Sequence, residues 1–226
     1  MSKLAVITAR GGSKRIPKKN IKDFCGKPII AYSVQAALDS GLFDEVMVST
    51  DSEEIADVAR QNGASIPFLR SEATSNDFAG TGDVLREVVE EYKKRGREFD
   101  YMCCIYPTAP FVTGKKLQDS FALMEGDEGV SGVSPVVSFS YPPQRGFYLR
   151  DGNRVLVDPK SWPCRSQDLE TIYHDAGQFY WYRMALWTKG GKHLSLVIPE
   201  SEVQDIDNLE DWKIAEMKYR LMAENL

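Results

Sequence analysis

From Leu4 to Val137, short continuous apolar runs alternate with amphipathic segments, and this alternation restricts the fold more than any other property of the chain. Leu4 to Thr8 is apolar at successive positions, the pattern of a strand covered on both faces. Gly26-Lys27-Pro28 opens a helix with proline in its first turn, where a missing N–H costs nothing, and Gly41 ends it. Glu45 to Thr50 is the second strand. Asp51 then caps a helix with Glu54 at capping-box spacing, carrying Ile55, Val58 and Ala59 on its apolar stripe and stopping at Asn62-Gly63. A short strand over Ser65 to Leu69, a helix over Thr81 to Arg97, a strand over Asp100 to Tyr106, a helix over Gly114 to Glu125 and a strand over Gly129 to Val137 complete the series. The order predicts a single α/β domain over 1–226, a three-layer α/β/α open and mostly parallel sheet of Rossmann-like build. The pattern breaks over 138–163, an inserted β-rich excursion with a hairpin around Asp151-Gly152. Strands over Gln178 to Arg183 and Leu194 to Ile198 follow, then a last helix from Asn208 with Leu209, Trp212, Ala215, Tyr219 and Met222 on one stripe.

Charge narrows the ligand. A net charge of −5 argues against a nucleic-acid partner, yet residues 10–27 hold Arg10, Lys14, Arg15, Lys18, Lys19, Lys22 and Lys27 against Asp23 alone. A basic cluster in an acidic chain suits a small anion. The 4 cysteines form no CxxC pair, and the histidines are His174 and His193, so zinc is not expected. No stretch has the length of a membrane span and Met1 to Thr8 lacks a signal-peptide core, so the expectation is a cytoplasmic protein with no membrane partner.

In open α/β sheets ligands sit beyond the carboxyl ends of the strands, and the segment Ala9 to Asn20 lies at such an end. Gly11 and Gly12 allow a sharp turn that brings N–H groups toward phosphate oxygens, and Ser13, Lys14, Lys19 and Arg10 can surround a triphosphate. The loop is neither GxxxxGK[ST] nor GxGxxG, so neither a Walker loop nor a dinucleotide fingerprint is present. Taken alone, such a loop is equally a solvated basic face.

The segment Ala9 to Asn20 resembles the signature of the cytidylyltransferases that make CMP-sialic acid and related CMP-nonulosonates, and the similarity continues in order along the chain. Ser49-Thr50-Asp51, Phe68 to Ser71 with Asn76-Asp77 and Thr81, Tyr106 to Pro110, Arg165 to Leu169, Asp175-Ala176-Gly177 and Asp205-Ile206-Asp207 each resemble a family segment. The resemblance implies a nucleotide-diphospho-sugar transferase-like fold and transfer of CMP from CTP to the anomeric hydroxyl of a nonulosonic acid, with release of pyrophosphate, for surface glycoconjugate biosynthesis. It implies catalytic roles for Arg10, Lys19 and Asp205. CTP would be held by Ala9 to Lys14, Lys19, Asn20, Arg70, Asp77 and Thr81. Mg²⁺, with Mn²⁺ as substitute, would be held by Asp205 and Asp207. Asp207 with Glu210 also has capping-box spacing for the last helix, which explains Asp207 without a metal.

On the sugar side the resemblance points to Tyr106, Thr108, Arg165, Gln167, Asp175 and Gln178. Here the chain departs from the sialic acid enzymes, with Tyr106 for Gln, Ala109 for Ser, Phe111-Val112 for Arg and Asp175 for Asn. Fewer polar groups favour a 9-deoxy sugar with acylated amines, because unmatched hydroxyls would be desolvated without partners. The runs Arg165 to Leu169 and His174 to Trp181 closely resemble pseudaminic acid cytidylyltransferases, with N-acetylneuraminate or legionaminate enzymes as the alternative and a non-catalytic nucleotide-binding module as the reading from another class. Arg165 is the expected partner of the sugar carboxylate. The excursion resembles the element through which the family dimerises, implying a homodimer; a monomeric flap over the sugar is the other reading.

Overall fold

The computed structural model describes residues 1–224. Its elements are β1 (Lys3–Thr8), β2 (Asp23–Phe24), β3 (Lys27–Pro28), α1 (Ile29–Asp39), β4 (Glu45–Ser49), α2 (Glu53–Gln61), the single turn α3 (Glu72–Ser75), α4 (Thr81–Lys94), β5 (Tyr101–Ile105), α5 (Gly114–Glu125), β6 (Val130–Ser138), β7 (Phe147–Arg150), β8 (Asn153–Leu156), β9 (Tyr173–Asp175), β10 (Phe179–Arg183), β11 (Lys192–Val197) and α6 (Leu209–Ala223).

The main sheet has the order β11-β6-β10-β5-β1-β4, with β9 paired to the far end of β6. The strands β4, β1, β5, β6 and β11 share one direction, and β10 runs against β5 and β6. The expected mostly parallel α/β sheet is therefore present, with β10 reversed near its middle and β9 reversed beside the end of β6. Continuous apolar runs work here because both faces are covered. Ile30 and Val34 of α1, Ile55 of α2 and Leu117 and Phe121 of α5 cover one face. Leu85, Val88 and Tyr92 of α4 cover part of the other. Alternation along β10 sends Phe179 and Trp181, both fully buried, to the α5 side. Tyr180 and Tyr182 go to the α4 side and stay half-buried, beside Met184 and Trp187. The α6 helix packs apart from the sheet, with Trp212 and Ala215 against Ile16, Phe24 and Ile29.

Local chemistry corrects several boundaries. Pro28 is the residue before α1 rather than its first turn. Ser52, not Asp51, caps α2 by accepting from the Ile55 N–H, and Glu54 pairs with Lys18 instead of closing a capping box. The strand expected over Ser65 to Leu69 shrinks to a single bridge between Met47 and Ser65. At α6 the capping box is Asn208 with Asp211, not Asp207 with Glu210, so Asp207 is left for other work.

The hairpin expected around Asp151-Gly152 forms as β7–β8. Asp151 (φ 50°) and Gly152 (φ 79°) both take the left-handed conformation that a tight two-residue hairpin demands. The β7–β8 ribbon forms its own sheet, and every residue of β7 is exposed.

Candidate active site

A cleft of about 550 Å³ opens at the carboxyl ends of β1 and β5. Thr8, Arg10, Ser13, Lys14, Arg15, Lys19 and Asn20 from the first loop line it, with Arg70, Asp77, Ala79, Thr81, Val84, Tyr106, Pro107, Thr108 and Asp207. This is the place where a parallel sheet leaves its ligand crevice.

The seven basic residues of the first loop and its sequel divide their labour. Arg10, Lys14, Arg15 and Lys19 face the cleft. Lys18 turns outward to Glu54, and Lys22 and Lys27 lie over the rings of Trp212 and Tyr32. Lys18 itself, at φ 53°, makes the left-handed step that starts the 3₁₀ turn Lys19–Ile21. That turn aims the Lys19 ammonium back across the cleft, where it donates to the Ile206 carbonyl at 2.8 Å.

Buried scaffolding holds the loop. Ala9 is fully buried and its N–H donates to Ser49 O at 2.9 Å. The Asn20 amide donates to Arg10 O at 2.9 Å. Gly11 was expected to offer its N–H to phosphate, but that group already donates to Asp51 Oδ1 at 2.8 Å. A Cβ on Gly11 would lie 3.2 Å from Ser52 Cβ, a tight approach to the start of α2. Gly12 has a free surround, with nothing within 4 Å of an added Cβ. Neither glycine lines the cleft. Asp51 is a positioning group that sequence reasoning took for a helix cap; local spacing cannot separate the two roles.

Arg70 lines the cleft at only 8% exposure. Its guanidinium donates to Ser49 Oγ at 3.1 Å and Ser49 O at 2.6 Å. Burial lowers its pKa, against the pull of Asp51 and Glu87. Opposite, Asp77 accepts from Arg10 at 2.9 Å and pairs with Lys14, which holds its carboxyl below the usual range. Arg10 also reaches the Asn76 carbonyl at 3.2 Å. Burial likewise lowers Lys19, while the carboxylates of Asp207 and Asp205 oppose the shift and Arg15 and Arg10 add to it.

Asp207 lines the cleft and pairs with Arg15 at 2.7 Å. Asp205 is exposed, outside the lining residues but within electrostatic reach of Lys19. No group of three or more His, Cys, Asp or Glu side chains forms a metal cage among the described residues. Two carboxylates at the edge of a polycationic cleft still fit Mg²⁺, which commonly takes one or two carboxylates and completes its shell with substrate phosphates and water.

The residues expected on the sugar side separate. Tyr106 and Thr108 line the cleft. Gln178 is 3% exposed and lies behind it, donating to Glu202 O at 2.6 Å while its backbone carbonyl accepts from Tyr106 N at 2.8 Å. Asp175 ends β9 and accepts from the Tyr180 hydroxyl at 2.6 Å. Arg165 and Gln167 stand just past the excursion, outside the cleft, with Arg165 paired to Asp168 at 2.8 Å. Among residues not singled out beforehand, Arg15, Thr8 and Pro107 line the cleft. Arg15 was visible within the basic cluster and Pro107 within the segment Tyr106 to Pro110, whereas Thr8 carried no signal beyond its place at a strand end.

A family model described as Cytidylyltransferase matches residues 4–200. A pseudaminic acid cytidylyltransferase of Campylobacter jejuni is 40% identical over 231 residues, covering 100% of this chain and 99% of that protein. A CMP-N,N'-diacetyllegionaminic acid synthase of Legionella pneumophila is 35% identical over 99% of this chain and 98% of its own length. Among solved structures, CMP:2-keto-3-deoxy-manno-octonic acid synthetase complexed with CTP superimposes with a TM-score of 0.72 at 19% identity, covering 100% of both chains.

Proposed function

The chain belongs to the cytidylyltransferase family, and from that premise we propose that it transfers CMP from CTP to the anomeric hydroxyl of pseudaminic acid, releasing pyrophosphate, in surface glycoconjugate biosynthesis. It is a CTP-dependent nucleotidyltransferase. The observation that carries the reading is the convergence of Arg10, Lys14, Arg15 and Lys19 on one cleft at the strand ends. Four cations gathered in one cleft match the charge of a triphosphate, and partial burial of Lys19 strengthens its own share of that attraction. Arg10 and Lys14 exchange the Asp77 carboxylate for phosphate oxygens. Lys19, held at the cleft edge by Ile206 O, faces the charge that develops as the bond from the α-phosphorus to the leaving pyrophosphate breaks. Pre-set positions supply most of the rate in such transfers.

Asp205 and Asp207 are the residues that would hold Mg²⁺, or Mn²⁺ in its place, which neutralises phosphate charge when bound. Thr81, Arg70, Tyr106 and Thr108 all line the cleft; in this reading the first two border the nucleoside and the last two the sugar. Pseudaminic acid is favoured over N-acetylneuraminate by the aromatic Tyr106 in the lining, beside the ring of Tyr180 at 5.4 Å, where a polyhydroxylated side chain would find few partners, and over legionaminate by the higher identity to the pseudaminic acid relative, 40% against 35%.

The functional unit of this proposal is a homodimer. A two-stranded ribbon is not stable alone, and the excursion exposes Leu149 (72%), Tyr148 (55%) and Tyr141 (88%). A second copy covers these side chains and brings Arg165 to a sugar carboxylate. No helix among the described residues is long and apolar enough to cross a membrane.

The reaction is tested by ³¹P NMR of CTP, Mg²⁺ and pseudaminic acid with the enzyme. A phosphodiester resonance should grow in step with pyrophosphate. Release of CMP and pyrophosphate without sugar dependence would exclude the transfer.

A further inference from the structure

We propose that Tyr180 is a positioning residue for the sugar half of the site, holding Asp175 with its hydroxyl and supporting Tyr106 with its ring. This inference rests on the reading of the cleft as a cytidylyl-transfer site.

Alternation along β10 places Tyr180 on the α4 face, where the sheet is only partly covered. Its hydroxyl donates to Asp175 Oδ2 at 2.6 Å, and Asp175 Oδ1 accepts from the Gly177 N–H at 2.9 Å. Both carboxylate oxygens are therefore anchored, one by the turn and one by the neighbouring strand. The Tyr180 ring lies 5.4 Å from that of Tyr106 at an angle of 56°, and the Tyr106 hydroxyl stands 3.5 Å from Thr81 Oγ1. The series Thr81, Tyr106, Tyr180, Asp175 thus runs without a gap from the nucleotide side of the cleft to the strand that carries Asp175. Burial, then the Asp175 hydrogen bond, raises the Tyr180 hydroxyl far above the ordinary tyrosine range, so it stays a donor throughout the working pH range.

Removing the hydroxyl alone separates this role from packing. Tyr180→Phe keeps the ring and should raise KM for the sugar acid about tenfold, the effect of losing one charge-assisted hydrogen bond, while kcat and KM for CTP stay within about twofold. Asp175→Asn should show the same split. The double variant should be no worse than the worse single, because the two residues act as one unit. The sugar is the nonulosonic acid that the wild type turns over fastest, so a wild-type enzyme that forms no CMP ester refutes the transfer reading separately. Hydrogen exchange at the Gly177 amide, read without substrate, should quicken in Tyr180→Phe. Unchanged exchange, an unchanged sugar KM, equal rises in both KM values or additive variants would overturn the proposal.

Discussion

The Arg10 guanidinium donates to the Asp77 carboxylate at 2.9 Å across the mouth of the cleft. Asp77 thus occupies, with one carboxylate, two of the cations proposed to meet a triphosphate, since Lys14 is its second partner.

Arg10→Ala should therefore raise KM for CTP by about 10- to 100-fold, as expected for loss of charge-assisted bonds to phosphate. Inorganic pyrophosphate, measured as a competitive inhibitor, should weaken in parallel. An unchanged inhibition constant would remove Arg10 from phosphate binding.

Lys19 carries a pH signature. Burial disfavours its charged form, so its pKa lies below the ordinary 10.5 despite Asp207 and Asp205. The ammonium is the binding form, and it is lost as pH rises through this lowered value. The alkaline limb of kcat/KM for CTP should then fall below the ordinary lysine range. Lys19→Arg should remove that limb, because guanidinium keeps its proton. A limb that persists unchanged in the arginine variant belongs to another group.

How much of this was open to sequence reading depends on range. The runs that became β1, β4, β5 and β6, and the stripes of α2 and α4, were legible because periodicity is a local consequence of which face is buried. The basic loop was legible too, since charge density needs no partner to be seen. Asp51 was misread because an acceptor for the helix start and an acceptor for the remote Gly11 N–H look identical in sequence. Gln178 lay beside the right residues, yet only the folded chain shows its amide turned to Glu202 O, away from the cleft. Tyr180 drew no role of its own within the run His174 to Trp181, because its partners Asp175 and Tyr106 meet it only in the folded chain.

Lys116 on α5 ties two functional segments together. It pairs with Glu202 at 2.6 Å, ahead of Asp205 and Asp207, and donates to Phe111 O at 2.7 Å in the loop after β5. The lysine side chain is 12% exposed and the glutamate 27%, so breaking the pair strands a charge in a poorly solvated place. Lys116→Met should cost about 2–3 kcal/mol in urea unfolding, a little less than a fully buried pair. Adding Glu202→Gln should restore part of it. A loss below about 0.5 kcal/mol would class the pair with ordinary surface bridges.

Leu149→Asp on the hairpin should convert a dimer to a monomer in analytical ultracentrifugation, with the main domain still folded. A wild type that sediments as a monomer would refute the dimer directly.

Asp205→Asn and Asp207→Asn should each abolish metal-dependent turnover while CTP still raises the melting temperature. Near-normal turnover in either would exclude that residue as a ligand. For Asp207 the loss of its 2.7 Å pair with Arg15 predicts a smaller, metal-independent change in CTP affinity as well.

The central claim is that this cationic cleft activates pseudaminic acid with CTP. It is tested most directly by the initial rate of pyrophosphate release from CTP and Mg²⁺ with pseudaminate, legionaminate and N-acetylneuraminate in turn. Pseudaminate should give the highest kcat/KM, and omission of the sugar should give none. Faster turnover of N-acetylneuraminate, or no release with any of the three, would contradict the account.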